Sequence, residues 1–586
     1  MEKNTFLPVS IIIFLVFALS VSCKKKEAPQ ESQSFTEESH DFTSDAKTSR
    51  IEHIRFTDIT SDAGIDFQHI TGAFGQKWMP ETIGSGGGFL DFDNDGLVDI
   101  FLVNSAEWAG HEVSTKKPGA ALYKNKGNGR FEDVSAKSGI TFSIYGMGAS
   151  FADFDADGDQ DIYMTAVGDN MLLRNDDGVF TDITAQMKVK GNDPKAGSLP
   201  AWSSGSAWVD IDRDGWLDLF VNNYVRWTPD RDIYTTRDGQ TKSYATPDVY
   251  EGESNRLYRN IQGRTFEDIT EVAGVYNAEG KSLGIAVADF NNDLWPDIVI
   301  SNDTQPNFLY INNGDGTFAS TAVASGIAFD ESGRARAGMG IDVADVVNDG
   351  NMAIVIGNFS QEPLSLYTQM DNTGLFQDRA GAARLTKPSL LQLTFGVLFV
   401  DLDLDGFLEL ITANGHIEPE INAVQKNITF AQKPQVFYND HGKFIDIGEA
   451  AGAAFGADIV GRGVAAADID MDGDLDVLIT TNGGKPLLLR NDSGAGNKSV
   501  TLVLKGLKPN NQAIGAKVTA WVGGIRQQRM VRTGSSFLTQ SDIGRMVFGV
   551  GANSQIDSLH IIWPTSGKTQ KIEQIPTGQL MVIEEK

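Results

Sequence analysis

The chain has 586 residues, of which 41% are hydrophobic, so it is long and apolar enough to bury a large core and a second small one. Its formal net charge of -29 disfavours nucleic acid as a partner, because phosphate binding needs basic surface, and we expect none. The single cysteine, Cys23, excludes an intrachain disulfide.

The first 50 residues have the pattern of an exported and anchored protein. Lys3 precedes an apolar run over residues 6–19, which is short for a membrane span and typical of a signal peptide. Small residues then lead to Cys23, which resembles a bacterial lipobox, where the signal is cut before a cysteine that carries lipid. We predict a lipoprotein signal peptide over residues 1–22, with a plain signal peptide as the alternative, and a flexible tether over residues 23–50.

A repeat begins after the tether. Its first half is an apolar stretch, an Asp-rich loop and another apolar stretch, as in residues 88–104. Seven copies lie 56 to 79 residues apart, a period that fits a four-stranded propeller blade. Their loops, which we number 1 to 7, begin at Asp91, Asp153, Asp210, Asp289, Asp345, Asp401 and Asp468.

The second half of the repeat is a hairpin with a Phe-x-Asp strand, as at Phe131. Six copies follow Asp-rich halves, whereas the last Asp-rich half has none and residues 56–60 supply a seventh copy before the first. A ring explains this arrangement, because the first strand then completes the last blade and leaves no open edge. We therefore predict an all-β, seven-bladed β-propeller over residues 51–496.

Carboxylates occupy alternate positions of the loops. In loop 1, positions 1, 3, 5 and 9 are Asp91, Asp93, Asp95 and Asp99, and Gly96 permits the tight turn. Such hard oxygen ligands favour Ca²⁺ over Mg²⁺ or Zn²⁺, and position 12 lacks the Glu of an EF-hand. We predict about six structural Ca²⁺ sites. The other expected ligands are Asp153, Asp155, Asp157, Asp161, Asp210, Asp212, Asp214, Asp218, Asp289, Asn291, Asp293, Asp297, Asp401, Asp403, Asp405, Glu409, Asp468, Asp470, Asp472 and Asp476.

Two loops depart from the pattern. Loop 4 has Asn291 at position 3 and Leu294 in place of glycine, and we expect it still to bind. Loop 5 keeps Asp345 but has Val347 and Ala353 at positions 3 and 9, so we expect weak binding or none.

The repeats resemble the FG-GAP or VCBS repeats of integrin α-subunit propellers, in which the loop joins two strands of a blade and binds Ca²⁺. Residues 497–586 resemble the ASPIC/UnbV domain through stretches such as 513–518, 531–542 and 562–567, and they are expected to form a small antiparallel β-domain. The combination is similar to the cartilage acidic protein family and its bacterial relatives. The resemblance implies an extracellular, calcium-binding protein and leaves the ligand open.

A long insertion in the third repeat, residues 225–254, is a candidate binding surface. It carries Trp227, Tyr244 and Tyr250, which suit a sugar or a protein partner if they are exposed. The alternative is a loop folded down on its own aromatics.

Three further residues are candidates for a site at the mouth of the central channel. Arg334 and Arg336 suit an anionic ligand, and His416 suits a metal or acid/base role. Salt bridges and a structural histidine are the alternatives.

Function follows from these features as a leading hypothesis and one alternative, with a purely structural envelope protein as a third reading. The leading one is an exported, lipid-anchored calcium-binding scaffold of the bacterial cell envelope, placed in the outer membrane, for protein or glycan binding or adhesion. The alternative is an enzyme or biosynthetic accessory factor with its site at the channel mouth. The chain lacks nucleophile-elbow, zinc-protease and phosphate-loop motifs, which favours the first.

Overall fold

The computed structural model describes residues 54–112, 119–197, 199–370, 374–493 and 496–586. The predicted signal peptide, Cys23 and the tether lie outside these residues. Across the described ranges, no helix is long and apolar enough to cross a membrane. Helical pieces are single turns. They are Met79–Thr82, Thr184–Met187, Pro194–Ala196, Pro229–Arg231, Pro247–Val249, Ala322–Ser325, Thr386–Ser389, Ile421–Val424, Gly448–Ala451 and Ala453–Gly456.

The repeats fold into seven antiparallel sheets of four strands each, numbered here 1 to 7 like their loops. Sheet 1 contains Gly87–Leu90, Asp99–Leu102, Ala121–Asn125 and Phe131–Asp133; sheet 2 contains Tyr145–Ala152, Asp161–Val167, Met171–Asp176 and Val179–Asp182; sheet 3 contains Ser203–Val209, Asp218–Asn223, Arg256–Asn260 and Phe266–Asp268. Sheet 4 contains Ser282–Ala288, Asp297–Asn302, Phe308–Asn312 and Phe318–Ser320; sheet 5 contains Gly338–Ala344, Ala353–Asn358, Ser365–Met370 and Leu375–Asp378. Sheet 6 contains Thr394–Val400, Glu409–Asn414, Gln435–Asp440 and Lys443–Asp446; sheet 7 contains Gly461–Ala467, Asp476–Thr481, Leu487–Asn491 and Phe56–Asp58.

The first strands of the sheets contact one another in chain order, and the first strand of sheet 7 contacts that of sheet 1. The fourth strand of sheet 7 comes from the start of the chain. Phe56 lies opposite Asn491 in an antiparallel pair, so the predicted use of the N-terminal strand by the last repeat is confirmed. Phe56 is 6% exposed and its ring lies 5.5 Å from that of Phe455, whereas the next two residues point to solvent.

Apolar side chains are buried between neighbouring sheets. Ile341 and Ile354 of sheet 5, for example, pack with Ala286 and Val299 of sheet 4. Because both faces of the first and second strands are covered in this way, these strands are continuous apolar runs instead of alternating ones.

The C-terminal residues form two small sheets. One contains Met546–Gly551, Lys498–Lys505 and Leu580–Glu584, and the other contains Ile525–Met530, Lys517–Val522, Gln555–Ile562 and Thr569–Pro576. The prediction of an antiparallel domain is wrong for one pair, since Lys498–Lys505 runs parallel to Leu580–Glu584. These are the first and last strands of the domain, and the whole domain serves as the crossover that a parallel pair requires.

Residues 531–542, called here the central segment, leave this domain and lie against the first strands of all seven sheets. Thr539–Gln540 adds to sheet 1 as a parallel strand, and the ring of Phe537 lies 4.9 Å from that of Phe395. Glycine on the first strands permits this approach: a Cβ at Gly463 would lie 2.5 Å from the carbonyl oxygen of Phe537. The first strands of the seven sheets therefore pack against one segment of the C-terminal part of the chain.

Candidate metal centres

The Asp-rich loops join the first and second strands of each sheet, so all seven lie at the same end of the strands. In five loops, the residues at positions 1, 3 and 9 each place one carboxylate oxygen within 4.8 Å of the others. The groups are Asp91, Asp93 and Asp99; Asp153, Asp155 and Asp161; Asp210, Asp212 and Asp218; Asp401, Asp403 and Glu409; and Asp468, Asp470 and Asp476.

Backbone hydrogen bonds hold the carboxylate at position 9. In loop 1, Asp99 is fully buried and its two oxygens accept from the backbone N–H groups of Phe92, at 3.2 Å, and Asn125, at 2.7 Å. The same pair of contacts recurs in loops 2, 3, 4, 6 and 7. The acceptors there are Asp161, Asp218, Asp297, Glu409 and Asp476.

Position 5 stands apart from these groups of three. Oδ1 of Asp95 accepts from the N–H of Leu97 at 2.9 Å and so caps the turn, and the other loops repeat this contact. The structure therefore brings together positions 1, 3 and 9, whereas the sequence analysis grouped position 5 equally with them.

Buried carboxylate oxygens without a hydrogen-bond partner mark the same five loops. They are Oδ1 of Asp91, Asp93, Asp155, Asp210, Asp212, Asp401 and Asp470, together with Asp474 at position 7 of loop 7. Unpaired buried carboxylate oxygens are costly, and hard oxygen donors in this number are what Ca²⁺ binds. The residues therefore fit a divalent ion.

The pKa values of these carboxyl groups also reflect the crowding. Burial, with smaller contributions from the neighbouring carboxylates, raises the pKa of Asp91 to about 6, of Asp210 to about 7 and of Asp99 to about 8. Without a cation, the folded loops therefore hold protons that exposed aspartates would release.

Loops 4 and 5 differ from the other five. The amide of Asn291 is engaged within loop 4, donating to Oδ2 of Asp293 at 2.7 Å. A cation of the C-terminal domain approaches each position 1: Nζ of Lys517 lies 3.7 Å from Oδ2 of Asp289, and Nη1 of Arg526 lies 3.4 Å from Oδ2 of Asp345.

The C-terminal domain contacts the other loops through neutral groups, arginine and, at Ala156 of loop 2, Lys508. Asn511 donates to Oδ2 of Asp153 at 2.6 Å, and the N–H of Gly549 donates to Oδ2 of Asp401 at 3.2 Å. Further contacts are Arg545 to Gly96, Arg213 to Pro564 and Ser499 to Gly473. All seven loops therefore lie beneath this domain.

An asparagine on the third strand links each loop to its neighbour. Nδ2 of Asn125 donates to the carbonyl of Val98 in its own sheet, at 3.0 Å, and to that of Ile469 in sheet 7, at 2.9 Å. The equivalent residues are Asn175, Asn260, Asn312, Gln369, Asn439 and Asn491. The sequence shows this asparagine in every repeat but sheet 5, where Gln369 accompanies the loss of the position 9 carboxylate.

The aromatic insertion is largely folded down, so the expectation of exposed ligand-binding aromatics is wrong for two of its residues. Trp227 is 1% exposed and lies in a cluster with Trp78, Trp108 and Trp202. Tyr250 is 7% exposed. A large aromatic ring stabilises the folded chain more when it is buried than when it stays in water.

The three candidate residues for a channel site form ion pairs or are buried in the fold. Arg334 and Arg336 form ion pairs with Asp330, and Arg336 also pairs with Asp378 on the fourth strand of sheet 5. His416 is fully buried, its Nδ1 accepts from the N–H of Glu418 at 3.0 Å, and burial lowers its pKa to about 3. It is therefore neutral at physiological pH, and the two arginines belong to salt bridges.

Comparison with known proteins gives matches to both parts of the chain. The ASPIC and UnbV family matches residues 506–586, and the FG-GAP-like repeat matches residues 91–164, 153–221 and 289–356. Cartilage acidic protein 1 of Xenopus tropicalis is 25% identical over 502 residues, which cover 83% of this chain and 71% of that protein. The human protein of that name is 25% identical over 434 residues, covering 71% of this chain and 60% of its own length. A solved structure of an Agrocybe aegerita lectin, on recognition of non-reducing terminal N-acetylglucosamine, is 16% identical, covers 64% of this chain and 83% of its own, and has a TM-score of 0.37.

Proposed function

We propose that this homologue of cartilage acidic protein 1, with FG-GAP-like repeats followed by an ASPIC/UnbV domain, is an exported calcium-binding scaffold for binding or adhesion. Its seven sheets are taken as the blades of one propeller, which the ring of contacts between first strands and the pairing of Phe56–Asp58 with sheet 7 support. The calcium part rests on the buried, unpartnered carboxylate oxygens of five loops.

Positions 1, 3 and 9 of loops 1, 2, 3, 6 and 7 are the proposed ligands, with position 5 and a position 7 carbonyl as further oxygen donors. A bound ion supplies two positive charges that neutralise the carboxylates. Position 9 lies on the second strand and position 1 directly follows the first, so the ligands fasten the two strands together. The role of the metal in this proposal is structural.

Five ions, instead of the six expected from the sequence, fit the loops best. In loop 4 the amide of Asn291 is used within the loop, and Lys517 stands near Asp289. In loop 5 Arg526 stands near Asp345. In both loops a side-chain cation of the C-terminal domain takes the place of a metal ion.

Export and anchoring are the remaining parts of the proposal. The sequence pattern supports a cleaved signal over residues 1–22 and a lipid anchor on Cys23, which would place the ring on an envelope membrane, with the outer membrane proposed. Mass spectrometry of the membrane fraction tests this: a lipid-modified N-terminal cysteine peptide is expected, and an unmodified N-terminus would contradict it.

Metal content tests the calcium proposal directly. The purified chain, dialysed against buffered Ca²⁺, is expected to retain about five ions per molecule by elemental analysis, and isothermal titration of the stripped chain should give the same number. A molecule that retains no Ca²⁺, with no rise in melting temperature on adding it, would contradict the proposal.

A further inference from the structure

In loops 2, 4, 5 and 6 the C-terminal domain approaches the same atom, Oδ2 of the position 1 carboxylate. Asn511 donates to it in Asp153 of loop 2 at 2.6 Å, and the N–H of Gly549 donates to it in Asp401 of loop 6 at 3.2 Å. In both aspartates Oδ2 also accepts from the N–H of the glycine at position 6 of the loop, at 3.0 and 3.1 Å. Each of these carboxylates, only 2% exposed, is therefore held jointly by its own loop and by a second domain.

The charge of the group that approaches this oxygen follows the composition of the loop. Loops 2 and 6 bring three carboxylates together, and their Oδ2 contacts are neutral N–H donors. Loops 4 and 5 lack a carboxylate at position 3, and the approaching group there is a cation, Lys517 or Arg526. A cation beside position 1 competes with a metal ion, whereas a neutral donor fixes the carboxylate and leaves its charge to the ion. The C-terminal domain therefore matches each of these loops to the presence or absence of a complete ligand group.

Asn511 lies in a turn between the first two strands of the C-terminal domain, and neighbouring residues fix this turn. The side chain of Asn510 exchanges two hydrogen bonds with the backbone of Ile514, at 2.8 and 2.9 Å. Oε1 of Gln512 accepts from the N–H of Asp153 at 2.8 Å, so the turn holds this aspartate by its backbone as well as by its carboxylate. A donor on a fixed turn orients a ligand carboxylate more closely than a mobile side chain does.

We infer that the C-terminal domain forms the outer shell of the calcium sites in loops 2 and 6, and that Asn511 is a positioning residue for the ion of loop 2. The inference rests on the proposed calcium binding and assigns part of its affinity to a second domain. Loss of an outer-shell hydrogen bond typically lowers metal affinity by about 10–100-fold. By linkage, calcium in loop 2 strengthens the seating of the Asn511 turn by the same factor.

The experiment measures calcium binding by the full chain in competition with a fluorescent chelator. Asn511→Ala should weaken one of about five sites by about 10–100-fold and leave the others within about twofold. Asp155→Asn removes a ligand of the same loop and supplies the background for a double-mutant cycle. With the loop 2 ion already lost, Asn511→Ala should change calcium binding no further, whereas a general loosening of the domain would weaken sites in both backgrounds.

Asn497→Ala is the matched control. Asn497 also belongs to the C-terminal domain, and its Nδ2 donates at 2.7 Å to the backbone carbonyl of Asp403 in loop 6 instead of to a carboxylate. The variant loses a contact of the same kind between the domain and a loop, so its calcium affinities should stay within about twofold of the wild type. Melting temperatures confirm that each variant is folded.

Hydrogen–deuterium exchange tests the reciprocal effect with the Asn511 turn intact. In calcium-loaded chains, exchange over residues 506–516 should be slower in the wild type than in Asp155→Asn. Equal exchange in these two chains, unchanged calcium affinities in Asn511→Ala, equal losses in Asn511→Ala and Asn497→Ala, or a further loss in the Asp155→Asn background would overturn the inference. If the wild type still binds about five Ca²⁺, the calcium proposal stands; a wild type that binds none would overturn both.

Discussion

Asp155 is a single metal ligand whose change has opposite effects with and without calcium. Its Oδ1 is buried and unpartnered, beside Asp153 and Asp161. We predict that Asp155→Asn lowers the calcium content from about five ions to four. With Ca²⁺ 100-fold above its dissociation constant, one lost site costs about 2.7 kcal/mol of unfolding free energy. Without Ca²⁺, the unfolding free energy of the variant should equal or exceed that of the wild type, because Asp155→Asn removes one of the like charges that repel one another in the loop.

Asp345→Asn in loop 5 is the control for this experiment, since the same change there should leave the calcium count unaltered. Elemental analysis and urea unfolding, each with and without Ca²⁺, provide the measurement. Equal loss of calcium in both variants would contradict the assignment of loop 5.

Arg526 tests the idea of a side-chain cation in place of a metal ion. Asp345 is buried, and Arg526 is its cation from the C-terminal domain. We predict that Arg526→Met destabilises the calcium-loaded protein by about 1–3 kcal/mol, because a buried carboxylate loses its partner. Arg334→Met removes an exposed arginine from Asp330, which still has Arg336 beside it, and should cost about 0.5 kcal/mol or less. The midpoints of urea unfolding measure the stability of both variants. Equal losses would count against the idea that Arg526 takes the place of a metal ion in loop 5.

At the level of elements, the third-strand asparagines hold neighbouring sheets together. Asn175 is fully buried, and its Nδ2 donates to Phe92 of sheet 1 at 2.8 Å and to Gln160 at 3.0 Å. We predict that Asn175→Ala lowers the unfolding free energy by about 2–3 kcal/mol, since two buried carbonyls lose their donor. Asn313→Ala, at an exposed turn, should change it by about 0.5 kcal/mol or less. Similar values for the two variants would show that the inter-sheet link is unimportant.

Much of the element order could be predicted from the sequence because each repeat is a local pattern. The Asp-rich turn, its flanking apolar runs and the displaced Phe-x-Asp strand at Phe56 need no knowledge of distant residues, and the structure has the strands in those places. Loop 4 was harder. The cation near its Asp289 is Lys517, which lies more than 200 residues further along the chain.

The central segment could not be predicted from its own residues. Its partners are first strands spread from sheet 1 to sheet 7, and no local pattern marks such contacts. Glycines on the first strands were the available signal. Gly88 has φ +154°, and a Cβ there would lie 2.9 Å from the backbone nitrogen of Gln540.

For the whole molecule, the stability of the metal-free protein should depend on pH in a defined direction. The pKa values of Asp91, Asp210 and Asp99 in the folded chain, about 6, 7 and 8, exceed the ordinary value near 4. Between about pH 4 and pH 8 the folded state holds protons that the unfolded state releases. The unfolding free energy therefore falls as pH rises through this range.

Urea unfolding of the stripped protein at pH 5.5 and pH 8 measures this effect, and the midpoint should be lower at pH 8. Saturating Ca²⁺ should remove or reverse the difference, because the ion takes the place of the protons. A stripped protein that is equally stable at both values would contradict the account.

Phe56–Asp58 pairs with a strand that is synthesised more than 400 residues later. During synthesis, the earliest repeat strand must therefore remain unpaired while almost all of the later repeats are made. A chain interrupted within the last repeat leaves exposed the two strand edges that pair with each other in the intact molecule, at opposite ends of its sequence. Each edge is a template for joining another molecule, so incomplete copies should associate end to end.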